Sequence, residues 1–181
     1  MLKKFSIATA ITFFTIIFAA ESCSASIALV RLTIGGITLG AEMDFVKSIF
    51  GEPVKIYETS VVGERDACHE YIEPSSTDKN AKNKHLRIIY SRDRVIQIVC
   101  DGSSDLRTFD GVKIGDPVSI IKAVYGEPDD EGKIPTHFRR NIKADKYFFY
   151  NSTCSTYSLV FLAKKGKIVG IMSGLVDIGE Q

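Results

Sequence analysis

The chain has 181 residues, with 23 lysines and arginines against 22 aspartates and glutamates and a formal net charge of +1. This near balance offers no electrostatic case for nucleic acid as a partner. The length is large for one simple domain and small for two large ones, so it suits two small fused units.

The N-terminus carries the pattern of an export signal. Two lysines precede an uncharged apolar run over residues 5–20, and small residues follow. The run is short for a membrane span and is typical of a bacterial signal peptide, which we assign to residues 1–25. Two processing sites remain open. Cleavage after Ala25 would release a soluble secreted or periplasmic protein, whereas cleavage before Cys23 would leave a lipoprotein anchored through that cysteine.

A glycine motif follows and occurs twice, with an offset of 75 residues. Glycine readily adopts the left-handed conformation that ends a helix, and proline blocks its continuation, so each copy predicts one short helix. In the second copy Asp116 suits the N-cap, which predicts a helix over about 117–125. The motif positions are Gly36, Gly40, Gly51 and Pro53 in the first copy and Gly111, Gly115, Gly126 and Pro128 in the second.

The two predicted helices have matching apolar stripes. A helix this short is stabilised mainly by burying such a stripe, so both should lie on an apolar sheet. The stripes comprise Met43, Val46, Ile49 and Phe50 in the first helix and Val118, Ile121, Val124 and Tyr125 in the second.

Runs rich in branched and aromatic residues follow each predicted helix and indicate strands. We therefore predict an α+β fold of two tandem repeats, over 26–105 and 106–181, packed as one unit. Each repeat is a short helical segment followed by an antiparallel β-meander of up to four strands. The predicted strands are 54–62, 68–72, 86–90 and 95–100 in the first repeat and 133–139, 146–150, 157–162 and 167–172 in the second.

Strand alternation predicts which side chains face the helices. We place Leu86, Ile88, Tyr90, Ile96, Ile98, Leu159, Phe161, Val169 and Ile171 on the helix side. The other side receives Arg87, Ile89, Val95, Gln97, Val99, Ser158, Val160, Leu162, Ile168 and Met172. This second face is apolar and no helix of its own repeat covers it, so it predicts a protein-binding surface. The candidate partner-binding residues are Tyr147, Phe148, Phe149, Tyr150, Arg87, Gln97 and Met172.

The tandem pattern of glycine motif, helix, Gly-x-Pro and meander resembles the repeat of the β-lactamase inhibitory protein. It is also similar to the small lipoproteins of the outer-membrane assembly machinery, which have one such unit. The likeness covers residues 33 to about 174 and is carried by the eight glycine and proline positions given above. In the inhibitor the sheets form a concave surface that grips an enzyme, so the resemblance implies a binding role for the sheet face.

Three cysteines remain after either processing step and are candidates for one disulfide: Cys68, Cys100 and Cys154. A simple meander separates Cys68 from Cys100 by about 20 Å, too far for the roughly 7 Å that a disulfide allows between Cα atoms. Cys154 then pairs with one of the other two or stays free. Cys100 could equally be a small buried hydrophobic residue.

A thiol or zinc hydrolase is the weakest alternative. Cys68 and His69 are adjacent, with His85, His137 and Cys154 elsewhere, but nothing in the spacing supplies a base and an orienting group for a nucleophile. No paired Cys or His spacing typical of zinc is present. We therefore predict no enzyme activity, no metal and no cofactor.

Two basic loop clusters are best read as solvated charge, with contact to anionic lipid or an acidic partner as the alternative. They are Arg139, Arg140, Lys143 and Lys146, and Lys79, Lys82 and Lys84. The leading hypothesis is a secreted, non-enzymatic protein-binding module that uses its sheet face and hairpin loops. The alternative is a cell-envelope assembly or maintenance lipoprotein, membrane-bound only if Cys23 is lipidated. A homodimer through the sheet face is also open.

Overall fold

The computed structural model describes residues 32–59, 66–71, 84–102, 104–134, 142–152 and 155–176, without the side chains of residues 84 and 85. The predicted signal peptide with Cys23 lies outside these residues. So do Cys154, His137, Lys79, Lys82, Arg139 and Arg140.

The described chain forms one mostly antiparallel sheet with two short helices, which confirms the α+β class. The eight strands lie in the order β1-β2-β3-β4-β8-β7-β6-β5, so the sheet is continuous across the β4–β8 pair. The elements are α1 (Met43–Phe50), β1 (Lys55–Thr59), β2 (Asp66–Tyr71), β3 (Lys84–Ser91), β4 (Arg94–Gly102), α2 (Ser119–Tyr125), β5 (Asp130–Lys133), β6 (Lys146–Asn151), β7 (Ser158–Lys164) and β8 (Lys167–Gly174).

Each glycine loop is hydrogen-bonded to a hairpin that follows it in the chain. The Gly40 N–H donates to the Val95 carbonyl at 2.7 Å, and the Met43 N–H donates to the Asp93 carbonyl at 3.0 Å. The same pair of bonds recurs in the second half, from Gly115 to Ile168 at 2.8 Å and from Val118 to Gly166 at 3.0 Å. These bonds hold each helix start against the turn of a β-hairpin.

Both helices end at the predicted glycine. Gly51 and Gly126 have φ values of 78° and 80°, and their N–H groups donate to the carbonyls of Lys47 and Lys122. The predicted N-cap is wrong, because α2 begins at Ser119 without a side-chain cap. The Asp116 carboxylate instead accepts the Lys113 N–H at 3.0 Å and closes the preceding loop.

The helices pack on one face of the sheet and form the main core with it. Val46 and Phe50 from α1 and Ile121 and Tyr125 from α2 are buried there, as the stripes predicted. Ile49 is an exception, since 38% of it is exposed.

A β-bulge in each half changes the predicted facing of four residues. The β3–β4 register shifts between Ile89 and Tyr90, and the β7–β8 register shifts between Leu162 and Ala163. An extra residue on one strand reverses the alternation beyond it. Val95 and Ile168 therefore lie in the helix-side core, whereas Ile96 and Val169 pack on the opposite face, contrary to the prediction.

The weakest predicted strand is also displaced. We predicted a strand over 133–139, but β5 ends at Lys133 and pairs with the end of β6 through the register Lys133–Lys146. Asp130 and Glu131 do not look like strand residues by propensity. They enter the strand because their backbone pairs with Phe149 and Phe148.

Candidate binding surfaces

The sheet face opposite the helices was expected to be open, and its second half is closed. Ile142 and Ala144, which precede β6, are buried on it, and Ile142 lies against Gly170, where an added Cβ would come within 3.2 Å of the isoleucine Cδ1. The buried cluster on this face contains Val99, Ile134, Ile142, Ala144, Tyr147, Val160, Leu162 and Met172. The apolar residues of this face therefore form a second hydrophobic core and do not need a binding partner to cover them.

Most of the predicted partner-binding residues lie in the interior. Phe148 and Tyr150 belong to the helix-side core, with 4% and 0% exposed, so their expected exposure is wrong. Tyr147 is buried on the opposite face and donates its hydroxyl to Asp130 at 2.6 Å. Phe149 is half-buried beside it. Alternating aromatics fill both sides of β6 because both sides are covered.

The remaining candidates on this face are also tied into the fold. Gln97 and Met172 are buried, and the Gln97 amide donates to the Leu175 carbonyl. Arg87 forms an ion pair with Asp101, with 2.7 Å between guanidinium nitrogen and carboxylate oxygen. The two side chains are 19% and 12% exposed. Arg87 was predicted to bind a partner, but its guanidinium is paired with Asp101 inside the protein.

Cys68 and Cys100 lie on opposite faces of the sheet. Cys68 packs with Ile89 and Ile96, whereas Cys100 belongs to the helix-side core. Their side chains therefore point away from each other. Burial raises the pKa of the Cys68 thiol, which makes its reactive thiolate less available.

Cys68 and His69 do not form a dyad, because neighbours on a strand point to opposite faces. His69 lies on the helix side, with its ring centroid 4.8 Å from that of Tyr90. Its Nδ1 is 3.4 Å from the Tyr71 hydroxyl, which is 3.2 Å from the Tyr90 hydroxyl. Within the described chain, no group of three or more His, Cys, Asp or Glu residues is arranged to hold a metal ion.

His69 makes stability pH-dependent. Burial, assisted by the positive charge of Lys47, lowers its pKa from the ordinary 6.5. The unfolded chain therefore takes up this proton first as the pH falls, so the stability is fully present above about pH 6.5 and is lost below it. We expect His69→Gln to reduce this loss by at most about 1.4 kcal/mol per pH unit. Urea unfolding over a pH series checks this, and an unchanged acid slope in the variant would contradict it.

The exposed apolar residues were not found by sequence reasoning. Phe45, Ile49, Val54, Ile56 and Phe109 are 38% to 60% exposed. Four of them lie on or beside α1 and β1. The signal was present in the repeat offset, since the positions 75 residues after Val54 and Ile56 hold Asp129 and Glu131. Comparing the two copies for differences would have revealed it.

A shallow depression at the α1 start is lined by Glu42, Met43, Asp44, Arg92, Asp93 and Arg94. It carries charges of both signs, and Glu42 pairs with Arg94 at 2.8 Å.

Neither helix of the described chain is long and apolar enough to cross a membrane.

The fold is shared with solved bacterial structures. The chain is similar to a cysteine-rich secretory protein from Staphylococcus aureus subsp. aureus Mu50, with 13% identity and a TM-score of 0.51, over 83% of this chain and 47% of that chain. It is also similar to an extracellular protein containing an SCP domain from Bacillus anthracis str. Ames, with 11% identity and a TM-score of 0.50, over 96% and 50%. The chain thus spans about half the length of each. At these identities the likeness shows the fold alone.

A further structure, of a candidate β-lactamase inhibitor protein from Streptococcus mutans, has 12% identity and a TM-score of 0.29 over 76% of this chain and 85% of that chain. No protein-family model matches the sequence. A search of curated proteins finds no match either.

Proposed function

We propose that the protein is a secreted, non-enzymatic module that binds another protein through the apolar edge of its first half. This apolar edge consists of Phe45, Ile49, Val54 and Ile56. The observation that carries the proposal is the difference between the two ends of the sheet. Val54 and Ile56 at the first edge are exposed and apolar, whereas the equivalent positions at the second edge hold Asp129 and Glu131.

The charged end shows how this sheet protects an edge. Open strand edges invite pairing with other chains, and charged side chains discourage it. At the second end, Glu131 lies 3.3 Å from Lys122 of α2. The corresponding residue of β1 is Ile56, which is 59% exposed, and Val54 beside it is 60% exposed. The first end thus lacks the protecting charges at these positions.

The helix that precedes β1 in the chain, α1, is likewise more apolar on its exposed side than α2. In α2, Ile120 and Val124 pack against the core. Their counterparts in α1 are Phe45 and Ile49, which are 50% and 38% exposed. Ile56 faces the same side of the sheet, since its register partner His69 lies on the helix side. An extended partner segment could pair with β1 and bury its alternate side chains against this edge.

Export and a tandem design support the wider proposal. The apolar N-terminal run is typical of a signal peptide, and the two longer similar structures come from proteins described as secretory and extracellular. The repeated hydrogen bonds between glycine loop and hairpin support two copies of one helix-plus-four-strand unit. In this proposal the first copy supplies the binding edge and the second supplies rigidity.

A lipoprotein role is the second candidate, since Cys23 follows the apolar run. The intact mass of the exported protein separates the two candidates. A lipid-modified Cys23 would establish the anchored form, and a mature N-terminus after Ala25 would exclude it.

The test transfers the charged edge of the second half to the first. We expect Val54→Asp with Ile56→Glu to reduce affinity for the partner by at least about tenfold, because two apolar contacts are replaced by charges. The matched control is Asp129→Asn with Glu131→Gln at the other edge. The tagged exported protein and both variants would capture proteins from the envelope and secreted fractions of the source bacterium, followed by affinity measurement on the captured protein.

The outcomes are distinct. A partner that is retained by the wild type and the control but lost by the Val54/Ile56 variant supports the proposal. Equal retention by all three proteins would overturn the assignment of the surface. A third outcome is that only the protein itself is recovered. If the wild type then sediments as a dimer and the Val54/Ile56 variant sediments as a monomer, the partner at this edge is a second copy of the chain.

A further inference from the structure

One end of the second half of the sheet collects six lysines. The β5–β6 register places Lys133 directly opposite Lys146, and the β7–β8 register places Lys164 opposite Lys167. Lys146 also lies opposite Ala163, the neighbour of Lys164. Directly opposed residues have Cα atoms about 4.5–5.5 Å apart. We call this group, completed by Lys143 and Lys165, the lysine end: Lys133, Lys143, Lys146, Lys164, Lys165 and Lys167.

The charges of the lysine end are not balanced locally. Within the described chain, none of the six side chains forms an ion pair; five of the residues are exposed and Lys164 is partly buried. Asp145 is the acidic residue next to them in sequence. Like charges directly across an antiparallel pair destabilise a sheet, so the Lys133–Lys146 pair carries a cost in the isolated protein.

The acidic residues before and at the start of β5 have partners within the fold. Glu127 and Glu131 contact Lys122 at 2.8 Å and 3.3 Å. The Asp129 carboxylate accepts the Asn151 N–H at 2.6 Å. These carboxylates contact groups of the fold, whereas none of the six lysines forms an ion pair among the described residues, so their positive charge is available to an external anion.

We propose that the lysine end docks the protein on an anionic phospholipid bilayer. Lysine is a mobile point charge suited to a diffuse layer of phosphates, whereas arginine suits stereospecific phosphate recognition, and the six described residues of this group are all lysines. An anionic membrane surface attracts each nearby lysine by about fivefold in affinity. The export signal would place the protein beside such a surface. This inference is independent of the partner edge, which lies at the far end of the sheet.

The experiment measures partitioning of the exported protein onto vesicles by sedimentation. The vesicles are phosphatidylcholine alone or an equimolar mixture with phosphatidylglycerol. We expect binding to the mixed vesicles only, weakening steeply as salt is raised. The variant Lys133→Gln with Lys146→Gln and Lys167→Gln should lower the partition coefficient by about 100-fold, from three lysines at about fivefold each.

The matched control removes three charges elsewhere, by Lys47→Gln, Arg92→Asn and Arg107→Gln. It should change the partition coefficient by less than about threefold, with thermal unfolding used to show that all variants fold. Equal losses in both triple variants would show a net-charge effect and overturn the assignment to the lysine end. Binding to phosphatidylcholine alone, or no binding to either vesicle, would overturn the proposal. Competition by inorganic phosphate at constant ionic strength would redirect it to a soluble phosphate ligand.

Discussion

Replacing Phe161 with alanine is expected to lower the free energy of unfolding by about 3–5 kcal/mol. Phe161 is fully buried between the helices and the sheet. Its ring centroid lies 5.2 Å from that of Tyr125 and 6.2 Å from that of Tyr150. The variant loses both apolar burial and aromatic contacts and leaves a cavity that its neighbours fill only in part. Urea unfolding monitored by circular dichroism measures the change.

Two controls separate core packing from a general sensitivity to substitution. Phe161→Leu keeps most of the volume and should cost less than about 1.5 kcal/mol. Phe149→Ala, on the half-buried opposite face of the neighbouring strand, should cost clearly less than Phe161→Ala. A loss below about 1 kcal/mol for Phe161→Ala would contradict the packing described for this core.

Asp101→Ala is expected to lower the free energy of unfolding by about 3 kcal/mol. The substitution leaves the Arg87 guanidinium, 19% exposed, without the carboxylate that accepts its hydrogen bond at 2.7 Å. The Arg87 Nε is buried and already has no hydrogen-bond partner in the described part of the chain. A largely buried guanidinium that loses its ion-pair partner is costly, because that hydrogen bond is not replaced by bulk water.

The matched control removes both charges at once. The double variant Arg87→Met with Asp101→Leu replaces both charges with apolar side chains and should be within about 1 kcal/mol of the wild type, because no unpaired guanidinium remains. The single and double variants are compared by the same urea unfolding experiment. If Asp101→Ala were no less stable than the double variant, the cost would not come from the isolated guanidinium.

The helices and most strands were predictable because their signals are local. Gly51 and Gly126 end the helices at the residues that the motif indicated. The two hairpins β3–β4 and β7–β8 lie where branched residues flank short turns. The tight turns use positive φ at Arg92, Asp93 and Lys165. These local structures depend on a few neighbouring residues, so they can be predicted without knowledge of the fold.

The facing of strand residues was predictable only up to the bulges. Strict alternation placed Leu86, Ile88 and Ile98 correctly but assigned Ile96 to the wrong side. A bulge is a property of a pair of strands, so the sequence of β4 alone did not indicate its position. The same reason applies to Val169 in β8.

The predicted binding residues were assigned wrongly for a related reason. The aromatic residues at 147–150 were predicted to bind a partner, but both sides of β6 are covered. Coverage comes from Ile142 and Ala144 on one side and from the helices on the other. The polar sequence around Ile142 gave no sign that Ile142 and Ala144 pack on the sheet.

The sequence by itself determined the local elements: the two helix ends, the hairpins and the apolar stripe of each helix. These follow from backbone preferences of glycine and proline and from burial periods, which act over a few residues. Only the tertiary structure decided which strands adjoin, which sheet face is covered, where the apolar edge lies and that six lysines meet at one end. Backbone hydrogen bonds form equally well with many partner strands and do not select one. These outcomes therefore depend on side-chain packing between segments that are distant in sequence.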